Sequence, residues 1–232
     1  MILMNCLCAF FVSCKTEIMR FFDITNIMVS LWSYPLSYIE FLGTVFGLLA
    51  VWLATRQKLV SWPLGLVNVS CFFVLFYQVQ LYSGMLLQAF YFVTNIYGWV
   101  IWKRQMNNDE APIMLTLKTR LIIIMLVAVF TLIMGWMVVH LPESYPQLFH
   151  NPASQPYYDA FLAVFSIAGQ IMLTRRIVDN WYVWIIVNAL SVFVFYRQGL
   201  YLLSIEYFVF LLLAVKGVYD WQKTIKKPLV NE

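Results

Sequence analysis

Charged residues are scarce in this chain: they make up 11% of its 232 residues, against 62% that are hydrophobic. A soluble domain carries about 25% charged residues, so a globule wrapped in water-compatible side chains is excluded. Histidine is almost missing. His140 and His150 lie in or beside one polar loop, the cysteines lack zinc-type spacing, and no metal site is expected. Cys6, Cys8 and Cys14 fall in the N-terminal extension and Cys71 inside an apolar run, so no loop offers a disulfide pair. Neither a Gly-rich phosphate loop nor a polar stretch long enough to hold a nucleotide occurs, which removes the P-loop pumps and leaves no expected cofactor. Transport energy must then come from the solute gradient or from trapping elsewhere. No histidine and no facing acidic pair lies mid-run, which argues against an intramembrane enzyme. The net charge of +4 gathers at segment ends and forms no nucleic-acid patch.

What the chain has instead is apolar length, with mean hydropathy +0.78. The runs are continuous rather than alternating, which selects helices over a β-barrel. Seven spans are expected, near 37–55, 61–80, 85–102, 120–140, 157–174, 181–197 and 201–218. Arg56 and Lys58, then Lys103, Arg104, Lys118 and Arg120, then Arg175 and Arg176, and finally Lys223, Lys226 and Lys227 occupy alternate connections, and Arg197 is the exception on the other side. Basic loops stay in the cytoplasm. The first span therefore starts outside, and the C-terminus is expected in the cytoplasm of a multi-pass inner-membrane protein.

The chain also matches itself when shifted by 119 residues. Glu40 falls on Asp159, Thr55 on Thr174, Arg56 on Arg175, Trp62 on Trp181, Gly98 on Gly217 and Trp102 on Trp221. A repeat in a membrane protein suggests two homologous bundles around a site. A three-helix unit begins outside and ends inside, so a like-oriented copy needs one extra crossing. Leu121–Val139, which has no counterpart in the repeat, supplies it.

The expected fold is all-α and polytopic, with seven transmembrane helices in a 3+1+3 parallel-repeat arrangement. Its domains are 1–33 (extension and amphipathic interfacial helix), 34–104 (first repeat), 105–156 (linker helix and external loop), 157–221 (second repeat) and 222–232 (cytoplasmic tail). The interfacial helix is read from Phe21, Phe22, Ile24, Ile27, Met28, Leu31 and Trp32 recurring at helical spacing opposite Asp23, Thr25, Asn26 and Ser30. Met1–Val12 does not look like a signal peptide, and Met19 is a second candidate for the first residue.

Polar side chains at membrane depth normally face the bundle interior. Here they are Asn68 in span two, Gln88, Tyr91 and Asn95 on one face of span three, and Ser166 and Gln170 in span five. Span six carries Trp181, Trp184 and Asn188 on one face; span seven carries Ser204, Glu206 and Tyr207. One reading is a cavity of carboxamides, phenols and indoles, suited to a neutral or cationic aromatic solute. A phosphate fits poorly, since no Lys or Arg lies deep in a span. The other reading is hydrogen bonding between helices, worth about 0.6–2 kcal/mol per contact. Gly43 and Gly47 suggest close helix packing. Trp32, Trp102, Trp221, Tyr82 and Tyr201 sit at segment ends as expected interfacial anchors. Glu40 and Asp159, at helix starts, suit the helix dipole better than proton coupling.

These residues carry a resemblance. The runs Gly65-Leu66-Val67-Asn68, Gln78-Val79-Gln80-Leu81-Tyr82, Leu86-Leu87-Gln88 and Asn95-Ile96-Tyr97-Gly98-Trp99 resemble the first repeat of the PnuC nicotinamide riboside transporters. Asn180 to Asn188, with Trp184-x-x-x-Asn188, resembles that family's sixth-helix signature, and Gln198-Gly199-Leu200-Tyr201 with Ser204-Ile205-Glu206-Tyr207 continues the match. The resemblance implies a trimeric, SWEET-like facilitator of unphosphorylated nicotinamide riboside, trapped inside by a cytoplasmic riboside kinase. It implies that Trp184 and Asn188 line the substrate site, with Asn68, Gln88, Tyr91, Asn95, Trp181 and Tyr207 as companions. Related branches carry thiamine or deoxynucleosides, which remain alternatives. In the self-alignment Trp184 falls opposite Gly65 and Asn188 opposite Val69, so the half-sites are not equivalent; Gly65 is expected to leave room for the Trp184 indole.

Overall fold

The structure is a computed structural model that describes residues 22–31, 34–79, 82–144 and 155–225. Seven helices follow a short hairpin: α1 Tyr38–Thr55, α2 Ser61–Gln78, α3 Tyr82–Asn107, α4 Leu117–Ser144, α5 Pro156–Thr174, α6 Asn180–Arg197 and α7 Tyr201–Ile225. Each expected span is a helix, and α3, α4 and α7 run beyond the hydrophobic stretch. Six of the helices are long and apolar enough to cross a membrane. The exception is α6, whose 18 residues include Asn180, Asn188, Ser191 and Arg197. The first three are buried, so its polarity is directed into the protein.

The N-terminal segment corrects the expected interfacial helix. Ile27–Leu31 (β1) pairs antiparallel with Tyr34–Ser37 (β2), and the register shifts between Ile27 and Val29. Two tertiary contacts explain why helical periodicity misled. The Gln78 side chain, at the end of α2, accepts from Ile24 N (2.8 Å) and donates to Phe22 O (2.6 Å), so one carboxamide holds the approach to β1 as a neighbouring strand would. Tyr34 OH donates to Glu40 Oε1 (2.6 Å), tying β2 to the first turn of α1. Pro35 also favours extended backbone at Tyr34. Phe21 and Trp32, parts of the expected helix, lie outside the described residues.

The chain forms two compact units: one up to Leu53 together with Val60–Ile96, the other of Ala54–Leu59 with the chain from Tyr97 onward. In the first, Ile39, Cys71 and Leu75 form a core flanked by Leu42, Val67, Phe72 and Phe76. Gly43 lets α1 approach α2 closely; a Cβ there would lie 3.0 Å from the Phe72 ring. In the second unit α4 packs on α5, α5 on α6 and α6 on α7. The contact between α4 and α5 needs Gly135, whose Cβ would fall 2.2 Å from Tyr157.

At the helix ends bearing the basic turns, the second unit holds a set of paired contacts between repeat-equivalent residues. Trp102 and Trp221 were expected as interfacial anchors, yet both are fully buried, with ring centroids 5.6 Å apart. Their indoles are needed inside for hydrogen bonding. Trp102 Nε1 donates to Leu173 O (3.0 Å) near the end of α5, and Trp221 Nε1 donates to Ala54 O (3.0 Å) near the end of α1. Ala54 and Leu173 are themselves repeat equivalents. Arg176 Nη2 donates to Gln57 Oε1 (2.8 Å), a pair separated by the repeat offset of 119. Both residues adopt left-handed backbone, at φ 53° and 55°, and end their helices in the same way. Burial pushes the Arg176 guanidinium below its usual value, partly offset by the Glu110 carboxylate.

The connection from α3 to α4 is also fastened to the turn between α5 and α6. Ile113 N donates to Arg176 O and Val178 N to Ile113 O, forming a parallel bridge with Ile177. Buried Asp179 accepts from Leu115 N (2.9 Å) and pairs with Arg120 Nε (2.6 Å).

Candidate functional site

Helix α6 sets out the candidate site in the second unit. Trp181, Trp184 and Asn188 recur at i, i+3 and i+7 and share one face; Ser191 extends it. Trp184 is half-buried, and its indole runs past Gly169 of α5. A Cβ on Gly169 would lie 3.4 Å from Trp184 Cε2 and 3.5 Å from Nε1, so glycine seats the ring. Beneath it Met172, Val183 and Val187 form an apolar floor.

The polar groups here are hidden and unengaged. Asn188 is 6% exposed and Ser191 4%; on α5, Ser166 and Gln170 are each 7% exposed. Among the described residues none of these four side chains makes a hydrogen bond. Groups that served as glue between helices would bond to one another or to the backbone, and none of the four does so. Other polar side chains of the protein do behave that way. Ser204 Oγ donates to Val192 O (3.0 Å), and Asn180 Nδ2 to Ile177 O (2.6 Å).

Trp181 is placed differently from its two face-mates. It is 1% exposed and meets Trp221 edge-on at 5.5 Å, while Gly217 supports its ring: a Cβ on Gly217 would lie 2.3 Å from Trp181 Cδ2. Its surroundings are those of a core residue, because the indole has no open face. Tyr207 is half-buried in an aromatic group with Phe195 (5.1 Å) and Phe210 (6.2 Å).

In the first unit, α3 presents Gln88, Tyr91 and Asn95 along one face as expected. Gln88 is half-buried, and its side chain makes no hydrogen bond to another described residue. Asn95 is buried and donates from Nδ2 to Tyr91 O (2.7 Å). Its Oδ1 lies against Gly65, where a Cβ would approach to 2.4 Å. The room at Gly65 is thus taken by the Asn95 carboxamide. Asn68 donates from Nδ2 to Gly43 O (2.8 Å), which joins α1 to α2.

Thus Trp184, Asn188 and Ser191 lie along α6, and the α5 helix packed against it carries Ser166 and Gln170 on either side of Gly169, which the indole meets. The α5 pair was readable as two polar residues at i, i+4 in an apolar helix, yet only the fold shows that they are buried without partners. No fixed charge enters this group, which suits an uncharged polar or cationic aromatic ligand.

The family model for the nicotinamide mononucleotide transporter matches residues 37–223. The chain is 35% identical to the nicotinamide riboside transporter PnuC of Escherichia coli, over 88% of this chain and 94% of that protein. It is 26% identical to the riboflavin/roseoflavin transporter RibM of Streptomyces davaonensis, over 78% of this chain and 83% of that one. The crystal structure of the vitamin B3 transporter PnuC superposes with a TM-score of 0.63 at 24% identity, covering 82% of each chain, and so shares the fold. With the greater part of its length matched, this multi-pass membrane protein belongs to the nicotinamide mononucleotide transporter family, whose members are transporters and not enzymes.

Proposed function

We propose that this chain is a bacterial inner-membrane facilitator that admits nicotinamide riboside, with its C-terminus in the cytoplasm. The observation that carries the reading is the 35% identity, over nearly the full length, to a nicotinamide riboside transporter. The site residues agree with it in kind. The pyridinium ring is a flat cation suited to the indole of Trp184. The ligand's carboxamide and hydroxyls suit Asn188, which can both donate and accept. Gln88, Tyr91, Asn95, Asn68, Tyr207 and Trp181 complete the set expected from the sequence.

The phosphorylated form suits the protein less well. A phosphate calls for a cation at depth, and Lys216, near the end of the apolar part of α7, is already engaged by Asp220. Entry of the riboside followed by phosphorylation in the cytoplasm would prevent its return, so a riboside kinase is the functional partner and no other energy source is needed. We read the helices as a 3+1+3 plan of two parallel repeats. The exchanged hydrogen bonds of Trp102 and Trp221 support this, since each joins the third helix of one repeat to the first helix of the other. The chain assembles as a homotrimer, as the resemblance implies.

Uptake by proteoliposomes holding the purified chain tests the reading. Labelled nicotinamide riboside should enter and be displaced by unlabelled riboside, not by nicotinamide mononucleotide. A second reading is supported by the likeness to RibM: a carrier of another aromatic vitamin. Displacement by riboflavin or thiamine, with no effect of the riboside, would overturn the first reading in favour of the second.

A further inference from the structure

We propose that Ser166 and Gln170 of α5 form a sugar-reading ledge beside Trp184 and Asn188, contacting adjacent hydroxyls of the ligand's ribose. This rests on the nicotinamide riboside reading above.

Four observations carry it. Both side chains are 7% exposed, and among the described residues neither makes a hydrogen bond. Several hydroxyls in this protein are satisfied within their own helix. Ser70 bonds back to Leu66 O (2.7 Å), Thr94 to Phe90 O (3.0 Å) and Thr174 to Ile171 O (2.7 Å), whereas Ser166 satisfies no backbone group in this way. Second, α5 and α6 pack directly, and Gly169 touches both Val183 and Trp184, so the ledge and the indole belong to one neighbourhood. Gln170 lies four residues before the end of α5 and Trp184 four after the start of α6; Ser166 and Asn188 lie eight from the same ends. With a helix rise of about 1.5 Å per residue, each pair shares a level.

Third, spacing of i, i+4 puts Ser166 and Gln170 on one face, and helical side chains lean toward the N-terminus. Gln170 therefore reaches back toward Ser166. An amide and a hydroxyl converging in this way can donate and accept at once, which is what two neighbouring hydroxyls require. Fourth, the ledge is one-sided. The equivalent positions in the first repeat are Gly47 and Val51, which offer no polar group. An unsymmetrical ligand in a pseudo-symmetrical bundle needs such a difference to settle its orientation.

Calorimetry on the purified full chain in detergent, with nicotinamide riboside and its 2′- and 3′-deoxy analogues, tests the inference. The wild type should bind the riboside about tenfold more tightly than at least one analogue, the size of one good hydrogen bond. Gln170→Leu, close to glutamine in volume, should lose that factor for the riboside while leaving affinity for the discriminated analogue unchanged. Ser166→Ala, a smaller change, should narrow the same ratio and provides the test if the leucine variant does not fold. Equal losses for riboside and analogue, or wild-type affinities in both variants, would overturn the ledge while leaving the proposed function standing. A wild-type chain that binds riboflavin or thiamine and not the riboside would overturn both.

Discussion

Trp184 and Asn188 carry the first prediction at the scale of single residues. Trp184→Ala removes a stacking face and Asn188→Ala a buried carboxamide, so each should weaken riboside binding by about 1–3 kcal/mol, read by calorimetry with folding checked by thermal melting. Gly217 gives a prediction of the opposite kind, about stability alone. A methyl there would meet Trp181 ring atoms at 2.3 and 2.5 Å, and the ring is pinned by Trp221. Gly217→Ala should therefore destabilise the protein by about 1–3 kcal/mol, the usual penalty for overpacking, seen as a lower melting temperature in detergent. Much at this scale was legible in the sequence: the polar faces of α3 and α6 follow from helical spacing alone. Spacing cannot separate Trp181 from Trp184, since both lie on one face and differ only in what the other helices bring against them. Gln170 was likewise visible as a polar residue in an apolar run, while its lack of a partner is a property of the packing.

The helices were the most legible elements, because a run of some 20 apolar residues has few other ways to satisfy its backbone in hydrocarbon. The hairpin at 27–37 was not legible. All of Ile27, Met28, Val29 and Ser30 are exposed, so β1 lacks the alternation that marks a half-buried strand, and its anchor is a glutamine some fifty residues away. Gln78→Ala should free the backbone at Phe22 and Ile24, and amide exchange across residues 22–31 should quicken while that of α4 stays unchanged. A second element-level prediction concerns the connection between α3 and α4. Asp179→Ala leaves both Leu115 N and the Arg120 guanidinium without their acceptor. Limited proteolysis should then cut within 108–116 at a rate at which the wild type stays intact.

At the largest scale, residues of the second unit that lie 119 apart in sequence make contacts that come in matched pairs. Trp102→Phe and Trp221→Phe each keep a ring and delete one indole donor, so each should cost about 0.5–1.5 kcal/mol of stability. The two losses should be similar if the pair is equivalent, which melting curves of both variants would show. The exchange itself could not be read in advance, because tryptophans at helix ends usually mark the membrane interface. The meeting of Arg176 with Gln57 has a wider consequence. Position 57 in one half is position 176 in the other, and they touch. Had the ancestral halves been separate identical chains, this spot would have faced its own copy. Two guanidiniums at about 4 Å repel by about 4 kcal/mol near a protein surface. Joining both halves in one polypeptide lifts that restriction, letting one copy become the cation and its twin the acceptor. Fusion thus permits a lopsided lock that no self-paired half-size ancestor with arginine there could close.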